Sequence, residues 1–342
     1  MERDLITKIQ RLAETPIKDS SVLVSIGDDC AVVAPSPGRH LIITTDTLVE
    51  SIHFDLDYFD PWHLGRKTAA VNLSDAAAMG GNPRWALLNL AVRPGLADSF
   101  WSSFSEGLLS RLSEYGVRLI GGDTVGAPDC LLLGLTLIGE VAEGKWLSRS
   151  SAQPEDLIYC SGNLGEAAAG LEWLKRHRKK RRSLGRQKGM HGISRAVLKR
   201  LLNRHLDPEP RVALGQALAA SGMVQTAIDI SDGIATDLAH VCKNSGVGAE
   251  VWARKIPVSG ALKRASRILG ISPLNLAVTG GEDLELLWTV SKKNEPGVRK
   301  IAAEVLGYGP FRIGKIVRND GILLKTSQGV IDITYQGYEH YT

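Results

Sequence analysis

The sequence has no apolar run of the roughly 20 residues that a helix needs to cross a bilayer. Its longest, over 131–142, is interrupted by Gly134, Thr136, Gly139 and Glu140. The N-terminus opens on charges of both signs (Met1-Glu-Arg-Asp) with no apolar stretch behind them, which argues against a secretory leader. Cysteine is scarce: Cys30, Cys130, Cys160 and Cys242 stand alone, with no Cys-x-x-Cys pair and no histidine at zinc spacing. Free thiols in a reducing compartment are expected, and a cytoplasmic location with them. Two familiar glycine-rich nucleotide motifs are missing as well. Gly65-Arg-Lys67-Thr imitates the end of a phosphate-binding loop, but Arg66 separates its glycine from its lysine. Gly307-Tyr-Gly309 is followed by Arg312 where a dinucleotide fingerprint requires a third glycine. These absences exclude a helical membrane protein, a zinc-stapled module and the two commonest nucleotide folds.

What remains is the composition of an ordinary globular protein: 342 residues, 44% hydrophobic and 23% charged. That length suits two domains, each able to bury its own core. The net charge of +4 conceals an uneven distribution. Residues 175–188 hold nine Lys and Arg and no acid; outside them 32 basic residues face 37 acidic ones. Such a run can meet nucleic acid or an anionic membrane. No aromatic side chain interleaves with these charges to stack on bases, so a solvated surface insert is the favoured reading.

Periodicity and punctuation divide the chain into two α/β halves. An amphipathic helix is predicted over 5–12, a strand over 22–26 running into Gly27-Asp28-Asp29-Cys30, and another over 41–45 running into Asp46. Asp60-Pro61 reads as the cap and first residue of a helix that stops at Gly80-Gly81. Strand 85–92, helix 98–115, strand 117–120 ending in Gly121-Gly122-Asp123, and a long strand over 131–141 complete the first half. The second half offers strand 156–160, a helix entering the basic insert, a helix near 212–220, and strand 227–230 before Ser231-Asp232-Gly233. A helix to Lys243 closed by Gly246 follows; residues 276–279 are predicted as a strand meeting Gly280-Gly281-Glu282-Asp283, and strand 284–290 leaves that turn. The boundary between the halves falls near 148–154, giving domains over 1–148 and 149–342.

The informative feature is where the acids fall. Asp28, Asp29, Asp46, Asp123, Asp229, Asp232, Glu282 and Asp283 each stand at the predicted end of an apolar strand, beside glycine or a hydroxyl residue. The carboxyl ends of strands are where α/β sheets bind ligands. One such Asp is ordinarily a turn former or a helix cap; eight acids in five places outrun that explanation. Clustered carboxylates repel unless a cation sits among them, and hard divalent ions with oxygen ligands suit the set. Without histidine or cysteine companions the pattern fits magnesium rather than zinc. Asp75 joins by another route: it shares a helix face with Asn72, and the alanines that follow it permit close packing. An exposed surface Asp is the plain alternative there. His53, shortly after Asp46, belongs to a type that is more often structural.

At these residues the sequence resembles the thiamine-monophosphate kinases, a family allied to aminoimidazole ribotide synthetase and selenophosphate synthetase. The matching segments are Ile26-Gly-Asp-Asp-Cys-Ala31, Thr44-Thr-Asp-Thr-Leu48 with His53, Ala70-Val-Asn-Leu-Ser-Asp-Ala-Ala-Ala-Met-Gly80 and Ile120-Gly-Gly-Asp-Thr124. Further on come Leu147-Ser-Arg-Ser150, Ile228-Asp-Ile-Ser-Asp-Gly233, Thr279-Gly-Gly-Glu-Asp283 and Gly337-Tyr-Glu-His340. They run in family order along the whole chain, and only the basic stretch near 175–190 is poorly matched. His53 and the Gly-Tyr-Glu-His ending favour the kinase. A selenophosphate synthetase would show a reactive Cys in a glycine-rich N-terminal segment, which this chain lacks. The resemblance implies two α/β domains with mixed sheets, the N-terminal one pairing in a homodimer, and ATP with several magnesium ions between the domains. It assigns metals to Asp29, Thr44, Thr45, Asp46, Asp75, Asp123, Asp229 and Asp232, ATP contacts to Gly122, Asp123, Arg149 and Ser231, and substrate contacts to His53, Glu282 and Tyr335. Thr44 stands where serine is common and keeps an oxygen ligand. Tyr335 stands where tryptophan is expected and keeps an aromatic face.

The activity so implied is phosphorylation of an existing phosphate, with ATP as donor and thiamine monophosphate as acceptor. A phosphate monoester has a second pKa of about 6, so it is already largely a dianion at neutral pH and needs no general base. Direct in-line transfer is expected, with Arg149 and backbone amides on the phosphates and Tyr335 stacked on a cationic ring. Three alternatives remain open, two on the same residues and one on the basic insert alone. A related enzyme would activate another acceptor, which ADP release across candidate acceptors separates. A metal-dependent phosphatase would release phosphate from ATP with no acceptor. A nucleic-acid binder would lose binding on deletion of 175–188.

Overall fold

The chain divides into two units, Met1–Ala76 with Gly81–Gly144 and Ala77–Gly80 with Lys145–Thr342. The structure, a computed structural model, describes residues 12, 21–24, 32–181 and 193–339. The helix predicted over 5–12 (Leu12 apart), the turn with Asp28 and Asp29, the basic residues beyond 181 and His340 lie outside the described residues.

In the first unit β1 (Val22–Val24) and β2 (Val32–Val33) form a short ribbon, and a four-stranded sheet follows. Its spatial order is β3 (Arg39–Val49), β6 (Leu132–Ala142), β4 (Asn82–Val92) and β5 (Arg118–Gly126). β3 and β4 run antiparallel to β6, whereas β5 lies parallel to β4. Helix α1 (Pro61–Ala78) links β3 to β4, and α2 (Asp98–Glu114) links β4 to β5. α1 starts where the sequence dictates: the Asp60 carboxylate accepts the His63 N–H at 3.1 Å, and Pro61 occupies a position whose N–H needs no partner. α2 turns Trp101, Phe104, Leu108 and Leu112 inward at helical spacing.

Along β3 the side chains alternate with the strand period of two. Ile42, Thr44, Asp46 and Leu48 turn to the helix side, while Leu41, Ile43, Thr45 and Thr47 are exposed on the other. That open face carries Leu41 (44% exposed), Ile43 (67%) and, on β5, Val125 (51%).

Two of these strands outrun their predicted ends. β3 continues through Asp46 to Val49, and β5 passes through Gly121-Gly122-Asp123 to Gly126. Their neighbours explain it: β6 pairs with β3 along its whole length, and β4 holds β5 in register as far as Gly126. The glycines serve close approach of strands rather than a turn. A Cβ on Gly122 would fall 1.9 Å from the Leu88 carbonyl oxygen.

The second unit holds a seven-stranded mixed sheet. Its order is β13 (Gly329–Asp332), β12 (Ile322–Thr326), β9 (Gly248–Trp252), β11 (Phe311–Val317), β7 (Leu157–Cys160), β10 (Glu285–Val290) and β8 (Thr226–Ile230). Only the β12–β9 pairing is parallel. Around it lie α3 (Glu166–Arg181), α4 (Arg195–Leu206), α5 (Val212–Ser221), α6 (Ile234–Ser245), α7 (Gly260–Leu269), α8 (Pro273–Thr279) and α9 (Glu295–Leu306). Ile158, Ile228, Leu287 and Ile313 of the sheet share one core with Leu238, Leu262 and Leu276 of the helices. β8 and β10 are buried at every position, the acids Asp229 and Glu285 included.

Residues 276–279, predicted as a strand, are the end of α8. Ser272 accepts the Asn275 N–H and Pro273 takes the first turn, so the cap upstream decides what a short apolar run leaves open.

Candidate functional site

Thr44, Asp46 and Asp75 meet on the helix side of the first unit's sheet. The Thr44 hydroxyl donates to Asp75 Oδ2 at 2.5 Å, and the Asp46 N–H donates to Asn72 Oδ1 at 3.1 Å. Asn72 is fully buried, and its amide nitrogen donates to the Thr68 carbonyl at 3.2 Å, which fixes the amide oxygen toward the strand. α1 therefore presents Asn72 and Asp75 from one face, as their spacing requires. Thr45 points the other way, its hydroxyl donating to the Leu135 carbonyl at 3.2 Å. Asp123 shares that open face, since register aligns it with Asn89, Asn89 with Gly134, and Gly134 with Thr47. Three strand spacings of about 4.8 Å, roughly 14 Å, separate Asp123 from β3 within one copy. Gly122 precedes it on the same edge strand. Asp29 lies outside the described residues.

His53 follows β3 in a turn where Ser51 adopts φ 68°. The Val49 N–H donates to His53 Nδ1 at 3.0 Å. The neutral ring therefore carries its proton on Nε2, a donor of the kind a phosphate accepts.

In the second unit β8 delivers Asp229, and the turn into α6 carries Ser231 and Asp232. Asp237, 2% exposed in the first turn of α6, accepts the N–H groups of both Ser231 (3.1 Å) and Asp232 (3.2 Å) on one oxygen. Burial first, then the neighbouring Asp229 and Asp232, push its carboxyl well above the usual range, with Arg149 opposing. Arg149 also acts on His240: burial and then that guanidinium lower the imidazole pKa, while Asp232 raises it. His240 meets the Tyr335 ring edge-on at 5.5 Å. Arg149, Asp232, His240 and Tyr335 thus form one neighbourhood. Asp237 and His240 were not singled out from sequence; the only signal was an acid in a helix's first turn, which is common.

The Gly-Gly-acid turn closes against this group. The Glu282 N–H donates to the Ser231 carbonyl at 2.7 Å and the Leu284 N–H to the Ile230 carbonyl at 3.0 Å. Glu282 and Leu284 hold φ of 65° and 49°. Gly281 is required, because a Cβ there would sit 2.4 Å from the Ser231 carbonyl oxygen. The Glu282 carboxylate stands 2.9 Å from Nδ1 of the fully buried His205. The tail closes the other side: Tyr335, at φ 55°, donates its N–H to Ala235, and Gly337 and Tyr338 donate theirs to the Thr236 hydroxyl and the Asp232 carbonyl, each at 3.0 Å.

Asp283, grouped with the ligand acids by its position after a strand-like run, is a buried helix cap instead. It accepts the N–H groups of Gly165 (2.5 Å) and Ala167 (3.2 Å) at the start of α3, and burial lifts its carboxyl to about 7 against the pull of Arg204. Beneath it Glu285 accepts two bonds from Arg211 at 2.8 and 2.7 Å, one from Arg204 at 2.7 Å and one from Ser161 at 2.5 Å. Burial alone would raise the Glu285 carboxyl; the two guanidiniums outweigh it and hold the group ionised.

The donor chemistry fits magnesium. Among the described residues no three His, Cys, Asp or Glu side chains form a ready metal cage. Magnesium asks for less: it uses one or two carboxylates and fills its remaining positions with phosphate oxygens and water. Thr44 with Asp75, and Asp229 with Asp232, offer oxygen donors of that kind, and the crowding that lifts Asp237 is what a cation would relieve.

Residues 27–141 match the family AIR synthase related protein, N-terminal domain, and residues 153–325 match its C-terminal domain. Two AIR synthase-related domains in one chain define the class. Thiamine-monophosphate kinase of Escherichia coli (strain K12) is 37% identical over 321 residues, covering 94% of this chain and 92% of its own. The crystal structure of thiamine-monophosphate kinase from Stenotrophomonas maltophilia K279a matches with a TM-score of 0.80 at 34% identity, covering 94% of this chain and 95% of that one. AaThiL complexed with AMPPCP and TMP matches with a TM-score of 0.72 at 28% identity, covering 97% of this chain and 96% of that one. The chain belongs to the thiamine-monophosphate kinase family.

Proposed function

We propose that the chain transfers the γ-phosphoryl group of ATP to thiamine monophosphate, giving thiamine diphosphate, with magnesium as cofactor. The observation that carries this reading is kinship across 94% of the chain with a kinase of that specificity. Bound magnesium would neutralise the meeting phosphates and align donor and acceptor oxygens. In the first unit Thr44, Asp46 and Asp75, with Asp29 before them, are the residues to hold it, and in the second unit Asp229 and Asp232; Thr45 and Asp123, which the resemblance adds, lie on the opposite face of the first unit's sheet.

The chain's own groups do the rest. Arg149 supplies a fixed cation for the ATP phosphates. Ser231 reaches ATP through its hydroxyl, because its N–H is already given to Asp237. His53, protonated on Nε2, donates to the acceptor phosphate; Glu282 and the Tyr335 ring suit the acceptor's cationic heterocycle. The acceptor is its own nucleophile, so no side chain carries the phosphoryl group.

A coupled assay for ADP with thiamine monophosphate, ATP and magnesium tests the activity. Alanine at His53 or Glu282 is expected to raise the acceptor KM about tenfold or more, the scale of one lost charged hydrogen bond, while the ATP KM stays within a fewfold. A loss confined to ATP would reassign these residues to the other ligand.

The open face of the first unit's sheet, with Leu41, Ile43 and Val125, is the surface for a second copy. Strand edges and apolar patches of this kind are covered in stable proteins. Light scattering should give twice the chain mass, and a monomer that stays fully active would refute the pairing. A cytoplasmic location accords with the free thiols of Cys130, Cys160 and Cys242. Among the described residues no helix is long and apolar enough to cross a membrane.

A further inference from the structure

We infer that Asp237 is a positioning residue of the phosphoryl-transfer site, clamping the Ser231–Asp232 backbone and so aiming both side chains. The inference deepens the kinase reading and rests on it. β8 ends at Ile230 and α6 begins at Ile234, so three residues must turn the chain and present two functional groups. The helix has no ordinary cap: Gly233 stands at that position and supplies no side-chain acceptor. Asp237 does the work from inside the helix, reaching back to both N–H groups with a single oxygen. It is buried beside two further acids, an arrangement that costs folding energy and is unneeded for a plain surface turn. The turn is braced from the opposite side by the Tyr338 N–H on the Asp232 carbonyl. With both N–H groups occupied, neither backbone amide can bind phosphate, and the aim of the side chains becomes the quantity that matters.

The test pairs two measurements on full-length wild type, D237A and D237N. Calorimetry follows the binding of magnesium with AMPPCP, a non-hydrolysable ATP analogue. Hydrogen exchange follows the amides of Ser231 and Asp232. D237A should expose both amides and weaken nucleotide binding by roughly 10- to 100-fold, the range for partners that orient metal ligands, with thiamine monophosphate affinity changed less than threefold. D237N keeps a carbonyl acceptor and should restore protection and affinity together. Should D237A fail to fold, D237N decides alone, since affinity must track amide protection. Protected amides with lost affinity would show that the charge, not the clamp, is what counts, and exposed amides with full affinity would equally overturn the inference. Wild-type protein that binds no magnesium–AMPPCP counts against the kinase reading itself; wild-type amides that exchange freely count against the clamp.

Discussion

Asp75→Asn should lower kcat by roughly a hundredfold or more, a barrier increase of about 3 kcal/mol at 1.36 kcal/mol per decade, with the fold intact. The substitution is nearly isosteric, and the Asn oxygen can still accept the Thr44 hydroxyl that now lies 2.5 Å from Asp75. What disappears is a negative charge where α1 faces β3 with oxygen donors from both elements. A carboxylate holding a divalent ion against several phosphate charges acts in the reaction itself, so its loss falls on turnover more than on folding. The check is steady-state kinetics across a magnesium titration, with circular dichroism to confirm the fold. Near-normal turnover at every magnesium concentration would remove Asp75 from the proposed metal site.

Glu285→Ala should cost about 3–5 kcal/mol of stability, the range for removing one partner from a buried ion pair. Glu285 is 1% exposed and faces two guanidiniums that cannot shed their charge, so its loss strands Arg204 and Arg211 beside an empty volume. Arg204 also holds the Asp283 carbonyl at 3.1 Å, and the turn with Glu282 stands directly before it. The destabilised variant should therefore also bind acceptor poorly at temperatures where it is still folded. Denaturant unfolding of wild type and variant measures the first effect. A shift below about 1 kcal/mol, the level of a solvent-exposed pair, would mean that the network is screened rather than buried.

Much of this was legible in the residues. The cap at Asp60-Pro61, the alternation of β3 and the polar face of α1 all follow from local pattern, and the segments behind the family resemblance are the ones that carry the two acid groups. Other features were hidden because they are made by partners distant in sequence. Where β3 and β5 end depends on β6 and β4, not on the glycines that interrupt β5. Asp283 and Glu282 are adjacent and alike in sequence; only the N-terminus of α3, more than a hundred residues earlier, makes one a cap while the other faces His205. Asp237 had no signature, since an acid in the first turn of a helix usually does nothing more than meet the dipole. That Thr45 and Asp123 lie on the face opposite Asp46 was implicit in the strand period, but only once register was known.

Among the described residues five other than glycine hold left-handed backbone: Ser51, Glu155, Glu282, Leu284 and Tyr335. Such positions cost on the order of 1 kcal/mol or more each, which glycine or asparagine would relieve. Glu282, Leu284 and Tyr335 line the second unit's site, and Ser51 sits in the turn that carries His53. Glycine at 282 or 335 would relieve that backbone strain, while giving up the Tyr335 packing on the core and the Glu282 carboxylate beside His205. It would also erase the groups proposed to meet the acceptor, so variants selected for heat resistance should be screened for catalysis at every round.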